Sequence, residues 1–194
     1  PDGGHRERNP SRLLDVLSRF NQIRALLLDA HEEVPLDLQG AIDRVTPMLR
    51  ALRHGDGGLA LFNGGFEEDR TLIDTVLAGT GVRGKALTSA PHSGFQRLAS
   101  GRTVIIADTG KPQLSDARCA HAGTLSFEMS IGKNRLVVNC GAASTEGERW
   151  FAAMRTTAAH STLSTDDMDS IQFKDDGSPM GGPNNVECTR READ

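Results

Sequence analysis

Several features that would define a function class are missing from this sequence of 194 residues. It contains no Tyr and a single Trp, and aromatic residues make up 4% of the chain. No apolar run approaches the roughly 20 residues of a membrane-spanning helix, and the polar residues 1–12 lack the apolar region of a signal peptide. The net charge of -4, without any Lys/Arg run, argues against a nucleic-acid-binding surface. We therefore expect no membrane span and no nucleic-acid partner.

Other absences exclude two enzyme classes. No pair of glycines is followed by the Lys-Ser/Thr helix start of a phosphate-binding loop, and no Gly-x-Ser-x-Gly elbow of a serine hydrolase is present. The three cysteines, Cys119, Cys140 and Cys188, form no CxxC pair. Either one disulfide with a free thiol or three reduced thiols fits this number, so cysteine usage leaves the compartment open.

Charge is unevenly distributed along the chain. The net charge is -4 over residues 1–82, +5 over residues 83–162 and -5 over residues 163–194. A basic middle region between acidic flanks can attract an anionic ligand through its field. Ordinary variation among surface residues gives imbalances of the same size, and the sequence leaves both interpretations open.

The first third of the chain has the periodicity of helices. Asn9 followed by Pro10 suits the N-cap and the first position of a helix, because proline there gives up a donor that would have no partner. Apolar residues then recur every three or four positions over residues 13–30, 38–52 and 68–78. Pro47 lies inside the second stretch and predicts a kink or a break there.

After residue 84 the pattern changes to short segments of β-forming residues separated by turn residues. Apolar and polar residues alternate over residues 124–130, which predicts a strand that covers a core with its apolar face. Residues 131–134 suit a hairpin connection. The predicted strands are Phe95–Ala99, Thr103–Asp108, Thr124–Ser130, Arg135–Asn139 and Ser161–Thr165, with one more possible at Asn185–Arg190. Helices followed by antiparallel strands predict an α+β chain with a boundary near residues 79–86.

Two of the six histidines stand beside predicted strands. His121 lies just before the strand at 124–130, and His160 directly precedes the one at 161–165. If these strands are neighbours, the imidazoles converge, and imidazole suits both metal binding and proton transfer near neutral pH. Two unrelated buried histidines are the alternative. Solvated structural positions or turns are expected for the other four, His5, His31, His54 and His92.

Three stretches, residues 120–130, 136–141 and 155–162, resemble in their order and spacing the heparinase II/III family of bacterial polysaccharide lyases. Residues 58–65 and 93–95 also resemble the loop leaving the helical part and an early strand of that family. Its members join an α/α toroid to a C-terminal antiparallel β-sandwich. The resemblance implies that residues 1–82 are the last toroid helices, that residues 83–194 form an incomplete sandwich, and that the chain is a segment of a longer protein of the periplasm or cell envelope.

Such lyases cleave acidic, uronate-containing polysaccharides by β-elimination. The resemblance implies that His121 and His160 match two histidines of a structural divalent metal site, holding zinc or calcium. Asn139 takes the place of the carboxylate ligand between them, and its neutral oxygen is a weaker zinc ligand.

Departures from the family pattern weaken the catalytic expectation. Cys119 stands where many members carry a catalytic His, Gly123 stands where Asp is common, and the catalytic Tyr has no counterpart. We expect this chain alone to be inactive. The alternative is a non-catalytic carbohydrate-binding or interaction module with a structural metal site.

Three residues that precede His160 in the chain, Arg149, Trp150 and Arg155, are candidates for substrate binding. Arg149 and Arg155 can bind a uronate or a sulfate through two hydrogen bonds, and Trp150 can stack on a sugar ring. The alternative is that Trp150 holds a loop against the β part while both arginines are solvated. The expected partner is an acidic polysaccharide or oligosaccharide, and the oligomeric state stays open.

Overall fold

The computed structural model describes residues 1–112, 114, 120–142, 147–183 and 185–191. Three helices come first, with the bounds α1 Pro10–Asp29, α2 Leu36–Ala51 and α3 Arg70–Gly79. The predicted start of α1 is confirmed, since the Asn9 side chain accepts hydrogen bonds from the backbone N–H groups of Ser11 and Arg12 at 2.9 and 3.1 Å. α2 runs through Pro47 without a break, and the kink there stays a prediction.

Five antiparallel strands follow in chain order across one sheet: β1 Ser89–Ala90, β2 Phe95–Ser100, β3 Thr103–Asp108, β4 Phe127–Ile131 and β5 Asn134–Val137. The sequence did not predict a short helix, α4 Glu148–Ala153, or the 3-10 turn at Thr157–Ala159. A separate two-stranded sheet joins β6 Gln172–Phe173 to β7 Pro179–Gly181. The α+β class, with helices before antiparallel strands, is therefore confirmed.

Two of the predicted strands are wrong. Residues 161–165 form an irregular segment with one isolated bridge, and no strand is described over residues 185–190. The backbone N–H of Ser161 donates to the Asn139 side chain, and the Thr162 hydroxyl donates to the Thr124 carbonyl. These side-chain bonds and a single backbone bond, from the Phe127 N–H to the Ser161 carbonyl at 3.2 Å, stand where a strand would need a ladder.

The direction of the alternation in β4 is also the reverse of the expectation. Ser126, Glu128 and Ser130 are at most 1% exposed, whereas Leu125 and Phe127 are 56% and 38% exposed. The polar face of this strand therefore packs against the helical part, and its apolar face lies outward.

One buried cluster joins the helices to the sheet. It contains Leu17 of α1, Ile42 of α2, Ile73 of α3, and Phe95 and Ile106 of the sheet. Phe62, in the loop between α2 and α3, is buried in the same cluster and packs its ring 5.5 Å from that of Phe95. The division into segments 1–82 and 83–194 stays a prediction. None of the helices in the described ranges is long and apolar enough to span a bilayer.

Candidate functional site

The two histidines singled out from the sequence meet in the structure. His121 Nδ1 lies 3.3 Å from His160 Nε2, and the rings stand edge to face with their centroids 5.4 Å apart. Nδ1–H of His160 donates to the Thr156 carbonyl at 2.7 Å, so its Nε2 is the acceptor of the His121 Nδ1–H. The predicted convergence is confirmed, although His160 is positioned by the 3-10 turn rather than by a strand.

Burial makes this histidine pair neutral. Loss of solvation, helped by the nearby His160 and Arg155 and partly offset by the Met154 carbonyl, lowers the pKa of His121 to about 3. Burial likewise lowers the pKa of His160, with the Thr156 carbonyl working in the opposite direction. At neutral pH both imidazoles are therefore uncharged.

The His121 ring lines a cavity of about 480 Å³, which we call the first cavity. Asn9 and Arg12 border it on the α1 side, Asn63 and Gly64 on the loop before α3, and Phe151 and Arg155 at α4. Pockets for small ligands have volumes of roughly 300–1,000 Å³. The first cavity is therefore large enough for a saccharide, and residues from both the helical and the β part form it.

A network of backbone and side-chain contacts holds the Asn63–Gly64 loop beside His121. Asn63 donates from its side chain to Asp108 and to the Arg8 carbonyl, both at 3.1 Å, and its own carbonyl accepts from Asn9. Gly64 has φ +77°, and a Cβ there would lie 3.1 Å from His121 Nε2. Glycine therefore allows the close approach of this loop to the imidazole.

A second buried group was not foreseen from the sequence. His54 Nε2 lies 2.8 Å from a carboxylate oxygen of Glu128, and both side chains have no exposed surface. The expectation of a solvated His54 is therefore wrong. The other carboxylate oxygen accepts from the Leu61 N–H at 2.8 Å and from the Asn139 backbone and side chain at 3.2 and 3.1 Å. The alternation of polar and apolar residues in β4 would predict this group only if the sequence also showed that the polar face points inward.

Asn139 turns its amide toward this group. Its NH2 donates to Glu128, and its oxygen accepts from the Ser161 N–H at 3.1 Å. Both ends of the amide are thus engaged. The described ranges contain no group of three or more His, Cys, Asp or Glu side chains that could hold a metal. Within the described ranges, two imidazoles fall short of the four protein ligands of a structural zinc site, so the described residues do not by themselves fit the expected site. The divalent metal stays a prediction.

Arg155 holds the backbone that leads into His121. It is 3% exposed, and its guanidinium packs 4.2 Å from the Phe173 ring centroid and 5.0 Å from that of Phe151. Its Nε donates to the Ala120 carbonyl at 2.7 Å, and Nη1 donates to the Gly177 carbonyl at 2.8 Å. The contact with Ala120 fixes the residue directly before His121.

The remaining predicted residues lie elsewhere. Trp150 is 57% exposed, and Arg149 is also exposed on α4. Neither is among the described residues that line the first cavity, and their binding roles stay predictions. Cys119 lies outside the described residues. Cys140 and Cys188 are free thiols.

Comparisons with known proteins give a family and a fold. Residues 82–194 match the sequence model of the family described as Heparinase II/III-like, C-terminal. "FtsZ-localized protein C" of Caulobacter vibrioides (strain NA1000 / CB15N) is 34% identical over 143 residues, which are 72% of this chain and 24% of that protein.

Solved structures of two lyases have a similar fold. A heparan sulfate lyase HepC mutant from Pedobacter heparinus matches with a TM-score of 0.66 and 19% identity over 88% of this chain and 31% of that one. A structure of Heparinase III matches with a TM-score of 0.66 and 13% identity over 87% and 33% of the two chains. The chain spans about a quarter to a third of the length of these proteins.

Proposed function

The chain belongs to the heparinase II/III-like C-terminal family, and from this premise we propose that it binds an acidic polysaccharide in the first cavity, as part of a longer polysaccharide lyase. The observation that carries the proposal is the neutral pair of His121 and His160, hydrogen-bonded to each other and bordering a cavity of saccharide size. In the longer protein the bound polymer would be cleaved by β-elimination.

That reaction needs a base for the proton next to the uronate carboxylate, a group that neutralises the carboxylate, and an acid for the leaving oxygen. A histidine with a pKa of about 3 is a weak base at neutral pH, so His121 is poorly matched to proton abstraction. Its unprotonated Nε2 is suited to accept a hydrogen bond from a sugar hydroxyl. We therefore assign binding and orientation of the sugar to this chain, and proton transfer to the remainder of the protein.

Arg12 is the cation we assign to the uronate. It lines the first cavity, is 60% exposed at its side chain and lies 3.5 Å from Glu7. A guanidinium can bind a carboxylate through two parallel hydrogen bonds. The proposal can therefore be tested at this position without disturbing a buried group.

The binding test measures affinity of the chain for uronate oligosaccharides by calorimetry. Arg12→Gln is expected to weaken binding about tenfold or more, since a hydrogen bond to a charged group contributes about 1.5–3 kcal/mol. The matched control is Arg44→Gln, because Arg44 is exposed on α2 and is not among the described residues that line the first cavity. Equal affinities of both variants would contradict the assignment of this cavity.

The catalytic part is tested with the full-length protein. We expect an unsaturated uronide product, detected by its ultraviolet absorbance, on at least one uronate polymer, and no product with the chain alone. A full panel of such polymers without product would refute lyase activity and leave the binding proposal standing.

A second candidate is a non-catalytic carbohydrate-binding or interaction module. The low pKa of His121 and the fully engaged amide of Asn139 favour it, and the printed name of the Caulobacter relative describes that protein as FtsZ-localized. It predicts retention on immobilised glycan without product, and weaker retention of Trp150→Ala and Arg155→Ala. This candidate includes a structural metal. Elemental analysis that finds no metal bound to the chain would exclude that metal. Location in the periplasm or cell envelope stays a prediction.

A further inference from the structure

A buried ion pair lies behind the wall of the first cavity. Arg8, two residues before the start of α1, forms it with Asp108 at the end of β3, and both side chains are at most 5% exposed. The backbone of Arg8 has φ +56°, a conformation that is unfavourable for a residue with a side chain and persists only where surrounding contacts enforce it. Neither residue is among the described residues that line the first cavity. The proposed function makes no use of this pair.

The fold provides a fitted space for the Arg8 guanidinium. Its Nε donates to the Ser93 carbonyl at 2.7 Å, and its two Nη atoms donate to the carbonyls of Lys111 and Gly94 at 3.1 and 3.4 Å. A Cβ on Gly110 would lie 2.4 Å from Nη2, so glycine at that position leaves the space that the guanidinium occupies. These contacts fix the guanidinium in one orientation.

Asp108 connects this guanidinium to Asn63, which does line the first cavity. One carboxylate oxygen of Asp108 contacts Arg8, and the other accepts from the Asn63 NH2 at 3.1 Å. The same NH2 donates to the Arg8 carbonyl at 3.1 Å. Because an ion-paired carboxylate and a carbonyl can only accept, the amide must turn its nitrogen toward them. The Asn63 Oδ1 has no donor among the described residues and is not fully buried, so a ligand in the cavity can donate to it.

We propose that Arg8 is a positioning residue for the first cavity: through Asp108 it holds the Asn63 amide with Oδ1 free to accept from a sugar hydroxyl. Asn63 directly precedes Gly64, the residue that lies against the unprotonated Nε2 of His121. An amide oxygen and an imidazole nitrogen therefore belong to the same wall, and sugar hydroxyls can donate to both. This inference rests on the proposed function and adds to it a residue that acts without touching the ligand.

The test compares lysine variants of two buried or half-buried arginines. Arg8→Lys keeps a positive charge beside Asp108 but loses the fork of hydrogen bonds that fixes the pair. Arg97→Lys is the matched control, because Arg97 also holds backbone carbonyls, those of Ala51 and Arg53 at 2.9 and 2.7 Å, and is not among the described residues that line the first cavity. Both variants are expected to lower the melting temperature, so a change in stability alone does not separate them.

Calorimetry with a uronate oligosaccharide, at a temperature well below both melting transitions, measures the effect on the cavity. Arg8→Lys is expected to weaken binding about threefold to tenfold, which corresponds to one neutral hydrogen bond. Arg97→Lys is expected to leave the affinity unchanged, because its contacts are remote from the cavity. Equal losses in the two variants, or no loss in either, would overturn the positioning role and leave the proposed function intact. A wild-type chain that binds no uronate oligosaccharide would overturn both proposals.

A second measurement follows the Asn63 amide in the unliganded chain by NMR. Its NH2 donates to two partners within the protein, so its side-chain signals should exchange slowly with solvent in the wild type and faster in Arg8→Lys. Asp108→Asn is the second variant, because it sets one NH2 group against another, and the Asn63 amide should then turn over and exchange faster. Wild-type signals that exchange as fast as those of the exposed Asn134 would overturn the positioning role without any variant.

Discussion

The buried Glu128 carboxylate offers the sharpest test of how this fold is held together. It accepts hydrogen bonds from the His54 ring, the Leu61 backbone and the Asn139 backbone and side chain. It therefore links the loop after α2 to β4 and to the segment after β5. Glu128→Ala would leave these donors without their acceptor in a region that water does not reach.

The expected cost follows from that burial. Each buried donor left without an acceptor costs about 1–3 kcal/mol, so removing an acceptor that serves several buried donors should cost about 3–5 kcal/mol in total. At about 2–4 °C per kcal/mol for a chain of this size, the melting temperature should fall by about 6–20 °C. Glu128→Gln should cost only about 1 kcal/mol. Its carbonyl oxygen can keep the bonds to Leu61 and Asn139, while its NH2 donates to His54, whose other nitrogen then donates to Ser130.

Thermal and urea unfolding of the 194-residue chain measure both variants. Glu67→Gln is the matched control, because Glu67 is 55% exposed and its pair with Arg135 is a surface contact worth at most about 1 kcal/mol. A Glu128→Ala variant within about 1 kcal/mol of the wild type, or a Glu128→Gln variant as unstable as the alanine variant, would refute the reasoning.

Three further predictions concern the histidine pair and its support. Because the folded pKa of His121 is about 3 and that of an unfolded histidine is about 6.5, its contribution to stability is present above pH 6.5 and is lost toward pH 3, by up to about 5 kcal/mol. Denaturation at several pH values should therefore show a shallower acid decline for His121→Asn, and equal slopes would contradict this. Gly123→Ala would place a Cβ 2.5 Å from the His160 ring. We expect a loss of about 1–3 kcal/mol and altered imidazole NMR signals, and an unchanged spectrum would count against the packing described. Arg155→Lys should lower the free energy of unfolding by about 2–3 kcal/mol, because it loses the planar stack and its fixed hydrogen bonds. The control Arg149→Lys, on the exposed side, should stay within about 0.5 kcal/mol of the wild type in the same unfolding assay. Similar losses in both variants would exclude a special role for Arg155.

Local signals predicted the elements well. The Asn9–Pro10 start of α1 holds because capping needs only residues within one turn. The hairpin between β4 and β5 also falls at the predicted place, with Gly132 at φ +57° in its turn. The prediction of a strand at 161–165 is wrong, since the composition of this segment does not reveal that Ser161 donates from its backbone to the Asn139 side chain and from its hydroxyl to the Phe127 carbonyl.

The direction of β4 shows the limit of periodicity. Alternation shows that two faces differ but not which face meets the protein interior. Here Glu128 and Ser130 face inward because His54, 74 and 76 residues away along the chain, provides their polar partner. Buried polar residues are stable when such partners satisfy them. Asn139 is drawn into the same group, so its amide is engaged there.

The amino-acid sequence by itself determined where α1 to α3 and β2 to β5 lie, that helices precede an antiparallel sheet, and which two histidines converge. Those features depend on contacts between near neighbours or on patterns repeated along one element. Only the tertiary structure decided that polar side chains line the interior of β4 and that Arg155 is buried between two rings. Each of these features depends on residues that are far apart in the chain. A charged or polar group is stable in the interior only where the fold places hydrogen-bond partners beside it.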